Sequence, residues 1–218
     1  MLLVWSVSVL GAEKAELDYR LQALTAKFEA LQQKPEKRVP EATLRQAKGV
    51  VLLDRTKAGF IFAYQGGSGV ALVRQGKSGK WSPAGFVMAN EASLGFQIGG
   101  EQNFFVILLM DTNATRRLTE TNFEFGGEAR GTAGDSSAGA EGTIAAPEHS
   151  VLVYSDRKGL FGGAAIKGGA ITPDDKANYT YYGEYLTLNE ILFGTKVPPT
   201  PGARKLGQTL TRYSTKAR

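Results

Sequence analysis

The chain has no cysteine and a single histidine, His149, among its 218 residues. Without thiols it can form no disulfide, thiolate metal site or cysteine nucleophile. One imidazole excludes zinc sites built on several histidines, and leaves a serine triad a single possible base, flanked by Glu148 and Ser150. Gly76-Lys77-Ser78 looks like the end of a phosphate-binding loop, but the first glycine of that motif falls on Ala71. Gly66-Gly67-Ser68 and Gly134-Asp135-Ser136 each need a further glycine to make a nucleophile elbow, and Val70 and Ala138 stand there instead. Asp174-Asp175 reads as a helix start that complements the dipole, not as an acid–base pair. The residues therefore describe a non-enzymatic protein with no metal, no cofactor and no nucleic-acid partner.

Long apolar runs are scarce. The first ten residues, with Leu2-Leu3-Val4-Trp5, Val7, Val9 and Leu10, are too short to span a bilayer. They read as the core of a signal peptide over residues 1–12, cleaved after Gly11 or Ala12. The longest later run, Phe104 to Met110, has seven residues.

Glycine is what the chain has in quantity. Of 27 glycines, 22 lie between Gly49 and Gly169, and many adjoin a phenylalanine, as in Gly59-Phe60, Gly85-Phe86, Gly95-Phe96, Phe125-Gly126 and Phe161-Gly162. Glycine within a strand marks a bulge, a bend or a close backbone approach, and a neighbouring ring can cover the bare backbone where a sheet curls. Period-2 segments follow Lys48: Val50–Leu53, Gly59–Tyr64, Gly69–Arg74, Lys80–Met88, Leu94–Ile98, Asn103–Met110, Phe123–Arg130, Val151–Ser155 and Leu160–Lys167. Phe104–Met110, apolar throughout, is expected at the centre of the sheet. Gly76 and Gly79 fit a hairpin turn, and residues 131–147 a loop or weak edge hairpin. The fold class expected is mainly β with peripheral helices: a strongly curled antiparallel sheet, barrel- or sandwich-like, preceded by an amphipathic helix.

That helix runs from Glu13 to Lys34, with Leu17, Leu21, Leu24, Phe28 and Leu31 at 4-3-4-3 spacing on one face, and Pro35 stops it. The stripe fits docking on the core, a short coiled coil, or a membrane interface. A short helix with Pro40 at its first position turns Leu44 and Ala47 inward. Asp111 caps another, and Asp174-Asp175 opens one that runs to Tyr182, ahead of a last one over 186–193. Tyr179, Tyr181, Tyr182 and Tyr185 either cap the core or sit at a headgroup level. Residues 35–195 form the sheet domain, and 196–218, with Pro198-Pro199-Thr200-Pro201, read as a basic tail in which PxxP is a recognition segment or a linker.

The net charge of +5 is unevenly placed. Residues 204–218 carry Arg204, Lys205, Arg212, Lys216 and Arg218 without an acid, and residues 34–57 carry Lys34, Lys37, Arg38, Arg45, Lys48, Arg55 and Lys57 against Glu36, Glu41 and Asp54. Residues 120–148 hold six acids and one base. Such patches mark an anionic partner or an ordinary solvated surface.

Several blocks come in an order that resembles the SYLF domain family. They are Ala47–Leu52, Lys57-Ala58-Gly59-Phe60, Gly66–Val70, Trp81-Ser82-Pro83-Ala84, Leu94–Gly100, Tyr154-Ser155, Lys158–Gly163, Asn178, Tyr182-Gly183 and Ile191–Gly194. The resemblance covers residues 38–195. It implies a module that binds anionic phospholipid or phosphoinositide headgroups, coupled in some eukaryotic relatives to actin and membrane traffic. On that reading Leu17, Leu21, Leu24, Phe28 and Leu31 enter the acyl boundary, while Lys34, Lys37, Arg38, Arg45 and Lys48 meet phosphates. The alternative is a structural or protein-interaction domain whose charged ends meet a protein partner. The signal-like start is similar to the exported bacterial branch, which places the protein in the periplasm or envelope; without export, a membrane's cytoplasmic face is expected.

Overall fold

The computed structural model describes residues 4–54, 66–76, 78–90, 104–120, 123–125, 150–156, 159–161 and 169–215. Six helices occur among them: α1 (Val4–Gln32), α2 (Glu41–Gln46), α3 (Thr112–Arg117), α4 (Asp175–Tyr182), α5 (Leu188–Phe193) and α6 (Pro201–Ser214). None is long and apolar enough to cross a membrane. The strands are β1 (Gly49–Asp54), β2 (Gly66–Gln75), β3 (Lys80–Trp81), β4 (Gly85–Asn90), β5 (Phe104–Leu109), β6 (Phe123–Phe125), β7 (Val151–Ser155), β8 (Gly159–Phe161) and β9 (Gly169–Pro173). They build one antiparallel sheet in the order β6-β9-β4-β2-β1-β5-β7-β8, with β3 paired to β2 off that path.

The sheet is covered on both faces. Alternation along β1 sends Val50 and Leu52 to one side, where they join Val70, Leu72, Phe86, Val106 and Leu108 under α1, α2, α4 and α6. Val51 and Leu53 go to the other, with Val73, Val87, Ile107 and Leu109 under α3 and α5. β5 is buried along its whole length, as its unbroken apolar run requires.

Three expectations are corrected. The sheet is neither a barrel nor a sandwich: among the described residues its path ends at β6 and β8, and helices, not a second sheet, cover each face. The fold is therefore mixed, not mainly β. Gly85 serves packing in place of curl, since a Cβ there would lie 2.2 Å from Leu188 Cδ1 of α5. The expected tail contains α6, which starts with Thr200 as cap, its Oγ1 accepting from Ala203 N–H at 3.3 Å, and with Pro201 as first residue.

Other expectations hold or shift slightly. Gly76 (φ 51°) and Gly79 (φ 63°) make the turn between β2 and β3. Asp111 caps α3, accepting from Ala114 N–H at 2.7 Å. Pro40 is the cap of α2, one position earlier than expected. The segment Lys80–Met88 breaks at Ser82-Pro83, and β9 was not anticipated. Expected strands 59–64 and 94–98, the loop 131–147, the ends of the strands placed at 123–130 and 160–167, and His149 lie outside the described residues.

Candidate functional site

The apolar stripe of α1 is core. Leu21 and Phe28 are fully buried, and Leu17, Leu24 and Leu31 are at most 5% exposed. They pack with Ala203, Leu206 and Leu210 of α6, Tyr181 of α4 and the first face of the sheet. Burying five such side chains contributes on the order of 10 kcal/mol. No part of the stripe is open to a bilayer in this conformation, so the insertion expected of it gives way to packing.

Polar contacts fix the same junction. The Tyr181 hydroxyl donates to Asp18 Oδ1 at 2.7 Å and shares a hydrogen bond with Thr200 Oγ1 at 2.8 Å, tying α4 to α1 and α6. Tyr182 donates to the Ala84 carbonyl at 2.6 Å. Burial pushes the Tyr181 hydroxyl up to about 12 and raises that of Tyr182 as well. In the unfolded chain both ionise near the ordinary 10, so the folded state holds more protons above that pH and loses stability as pH rises. We expect urea midpoints to fall progressively from pH 10 towards 12, with the 295 nm tyrosinate absorbance rising in step with unfolding.

The five predicted bases stay at the surface. Lys34, Arg38, Arg45 and Lys48 are exposed and Lys37 is half-buried. Where Pro35 stops α1, Lys37 and Arg38 N–H donate to the Lys34 carbonyl at 3.0 and 2.8 Å. Gln32 brackets this turn through Val39: its Oε1 accepts from Val39 N–H at 2.8 Å and its Nε2 donates to the Val39 carbonyl at 3.4 Å. Lys48 extends the ladder, its N–H donating to the Leu109 carbonyl at 2.8 Å and its carbonyl accepting from Arg74 N–H at 2.7 Å.

Arg74, at the end of β2, was not among the predicted residues. Its guanidinium lies over the Trp81 ring at 4.3 Å, Nε donates to the Ala47 carbonyl at 3.1 Å and Nη1 to the Gly79 carbonyl at 3.0 Å. Both patches meet the last turns of α6: Trp81 Nε1 donates to Thr211 Oγ1 and Gln33 Nε2 to the Tyr213 hydroxyl, each at 3.2 Å.

Arg20 meets Asp174, Lys27 meets Asp54, Lys196 meets Glu190 and, in the last turn of α6, Arg212 meets Glu29. Of the basic end only Arg45 is matched, with Glu41 at 2.9 Å. Among the described residues no carboxylate pairs with Lys34, Lys37, Arg38, Lys48, Arg74 or Lys80.

The family profile "Ysc84: Las17-binding protein actin regulator" matches residues 90–213, from the end of β4 into the last turn of α6. The chain belongs to the Ysc84 (SYLF) family. Protein YSC84 of Saccharomyces cerevisiae is 37% identical over 167 residues, covering 74% of this chain and 35% of that protein. LAS seventeen-binding protein 3 of the same yeast is 36% identical over 166 residues, 74% of this chain and 36% of the relative. SH3 domain-containing YSC84-like protein 1 of Xenopus laevis is 31% identical over 185 residues, 84% of this chain and 55% of the relative. The chain thus spans about a third to a half of the curated Ysc84-family proteins it matches. In this Ysc84-family chain the tyrosine cluster divides: Tyr181 and Tyr182 cap the core, while Tyr179 and the 85% exposed Tyr185 stack outside at 4.2 Å. The PxxP segment leads into the cap of α6, with Thr200 turned to Tyr181.

Proposed function

We propose that the chain is a non-enzymatic docking module whose basic end meets an acidic surface on a protein partner, in actin regulation of the kind the family's description names. The observation that carries this is the clustering of unpaired bases: at one end of the fold six cations lack a carboxylate partner among the described residues. Unmatched charge repels itself in the free protein and gains when an opposite surface arrives. The burial of the α1 stripe supports the protein partner, because Leu17, Leu21, Leu24, Phe28 and Leu31 are not free for insertion.

The test is co-sedimentation with actin filaments, and capture by Las17, at low and at physiological salt. Changing Lys34, Lys37, Arg38 and Lys48 together to Gln should weaken binding at low salt by at least roughly tenfold, mainly through the association rate. Equal binding by the quadruple variant would overturn the assignment of the basic end.

A second reading, an anionic bilayer held by charge alone, is favoured by the exposure of Lys34, Arg38, Arg45 and Lys48. Each base near such a surface contributes about 1 kcal/mol. Flotation with vesicles of phosphatidylglycerol, cardiolipin or a phosphoinositide, compared with neutral vesicles, checks it: salt-sensitive flotation with the anionic set alone supports it, and none removes it.

A further inference from the structure

We propose that the Arg74 guanidinium, laid on Trp81 and standing beside Lys48 and Lys80, is the anchoring subsite of the basic end and takes a carboxylate of the acidic partner. The inference rests on the docking reading and adds which residue sets its specificity. Arg74 differs from its neighbours in being held. One face is covered by the indole at 4.3 Å, and carbonyls of Ala47 and Gly79 fix Nε and Nη1. Those bonds use two of its five N–H donors, leaving one on Nη1 and both on Nη2, the edge that a carboxylate approaches with two parallel hydrogen bonds.

The group is also half-buried and short of charge compensation. Two carbonyls and a ring solvate it, and no carboxylate pairs with it among the described residues. Burial accordingly lowers its proton affinity from the ordinary arginine value. A cation partly removed from water and left without a counter-ion gains more from an arriving anion than a solvated lysine does. Lys48 and Lys80 come next to it through the ladder: Lys48 is joined to Arg74 across β1 and β2, and Lys80 precedes Trp81, which stands opposite Arg74. These two supply attraction at a distance, and Arg74 supplies the two-point contact.

The experiment uses the full chain with a hexaglutamate peptide as probe, followed by the side-chain N–H signals of Arg74 in nitrogen-resolved NMR. The expected result is a saturable shift of the Arg74 signals in the unaltered protein. Arg74→Lys, which keeps the charge, should bind the peptide at least about tenfold more weakly with an unchanged salt dependence. A purely structural role for Arg74 would lower the melting temperature and leave the wild-type signals unmoved by peptide. Shifts at the amides of Lys34, Arg38 and Lys48 without a shift at Arg74 would overturn the anchor while leaving the docking reading standing. No shift anywhere would remove both. Peptide binding by Arg74→Lys equal to wild type also overturns the anchor.

Discussion

Replacing Leu21 and Leu24 together by Glu is expected to unfold the chain. Both side chains are buried beneath α6 and the sheet, at 0% and 2% exposure. Truncating one such leucine costs about 2–5 kcal/mol through lost transfer energy and the cavity left behind. A carboxylate in that place adds several more, because charge leaves water only at high cost. Two such changes match or exceed the roughly 5–15 kcal/mol that holds an ordinary domain together. The check is far-UV circular dichroism with a thermal melt, accompanied by hydrogen exchange on the unaltered protein. Residues 17–31 should exchange slowly. A variant melting cooperatively near the wild-type temperature would return the stripe to a surface role.

The next largest effect belongs to Asn178. This side chain is fully buried on α4, where its Oδ1 accepts from Phe86 N–H at 2.8 Å and its Nδ2 donates to the Phe86 carbonyl at 3.0 Å. β9 pairs with Val87 through Pro173 and goes no further, and the following Asp174 N–H still reaches the Phe86 carbonyl at 3.0 Å. Asn178 thus imitates a missing strand partner with a side-chain amide. Asn178→Leu strands the Phe86 N–H in the core, and we expect a loss of about 3 kcal/mol, which is roughly 10 °C in melting temperature for a domain of this size. Asn178→Asp carries a sharper signature. Its buried carboxyl would hold a proton more tightly folded than unfolded, so the folded state binds more protons and the variant should gain stability as pH falls from 7 towards 4.5. Urea melts at the two pH values compare it with the parent, which lacks this group.

Strand β5 and helix α1 were plain in the sequence because each has an uninterrupted signal: six consecutive buried apolar residues in one, a 4-3-4-3 stripe in the other. What the stripe faces was not legible. Leucines at that spacing serve a sheet, a partner helix or a bilayer equally, and only the positions of α6 and Tyr181 decide between them. α6 itself was hidden by its prolines. Pro198, Pro199 and Pro201 read as a tail, although Thr200 followed by Pro201 is also the signature of a helix start, and its buried positions are partly small or polar, as at Ala203, Gly207 and Thr209. β9 was hidden by brevity and by Pro173. The glycine pattern spoke truly of close approach at Gly85, but the approaching group is a helix side chain, so curl was the wrong inference. The basic end was visible as composition, whereas the gathering of its unpaired bases at one end of the fold was not. That depends on contacts from β2, β3 and α6, which is why Arg74 passed unnoticed.

The pairing of α1 with α6 has a consequence for synthesis. The two helices run in the same direction, since Gly202 approaches Leu21 while Tyr213 meets Gln33 and the ring of Phe28. The Gln33–Tyr213 contact joins residues 180 positions apart. At the ribosome's pace of about 5–20 residues per second, the greasy side of the first helix waits roughly ten seconds or more for the last one. During that interval the nascent chain displays five large apolar groups in a row, and a chaperone that shields amphipathic segments would find its substrate there. Ribosome-bound chains stalled before residue 201 should therefore be sensitive to protease between residues 17 and 31, and chains released after residue 215 should not.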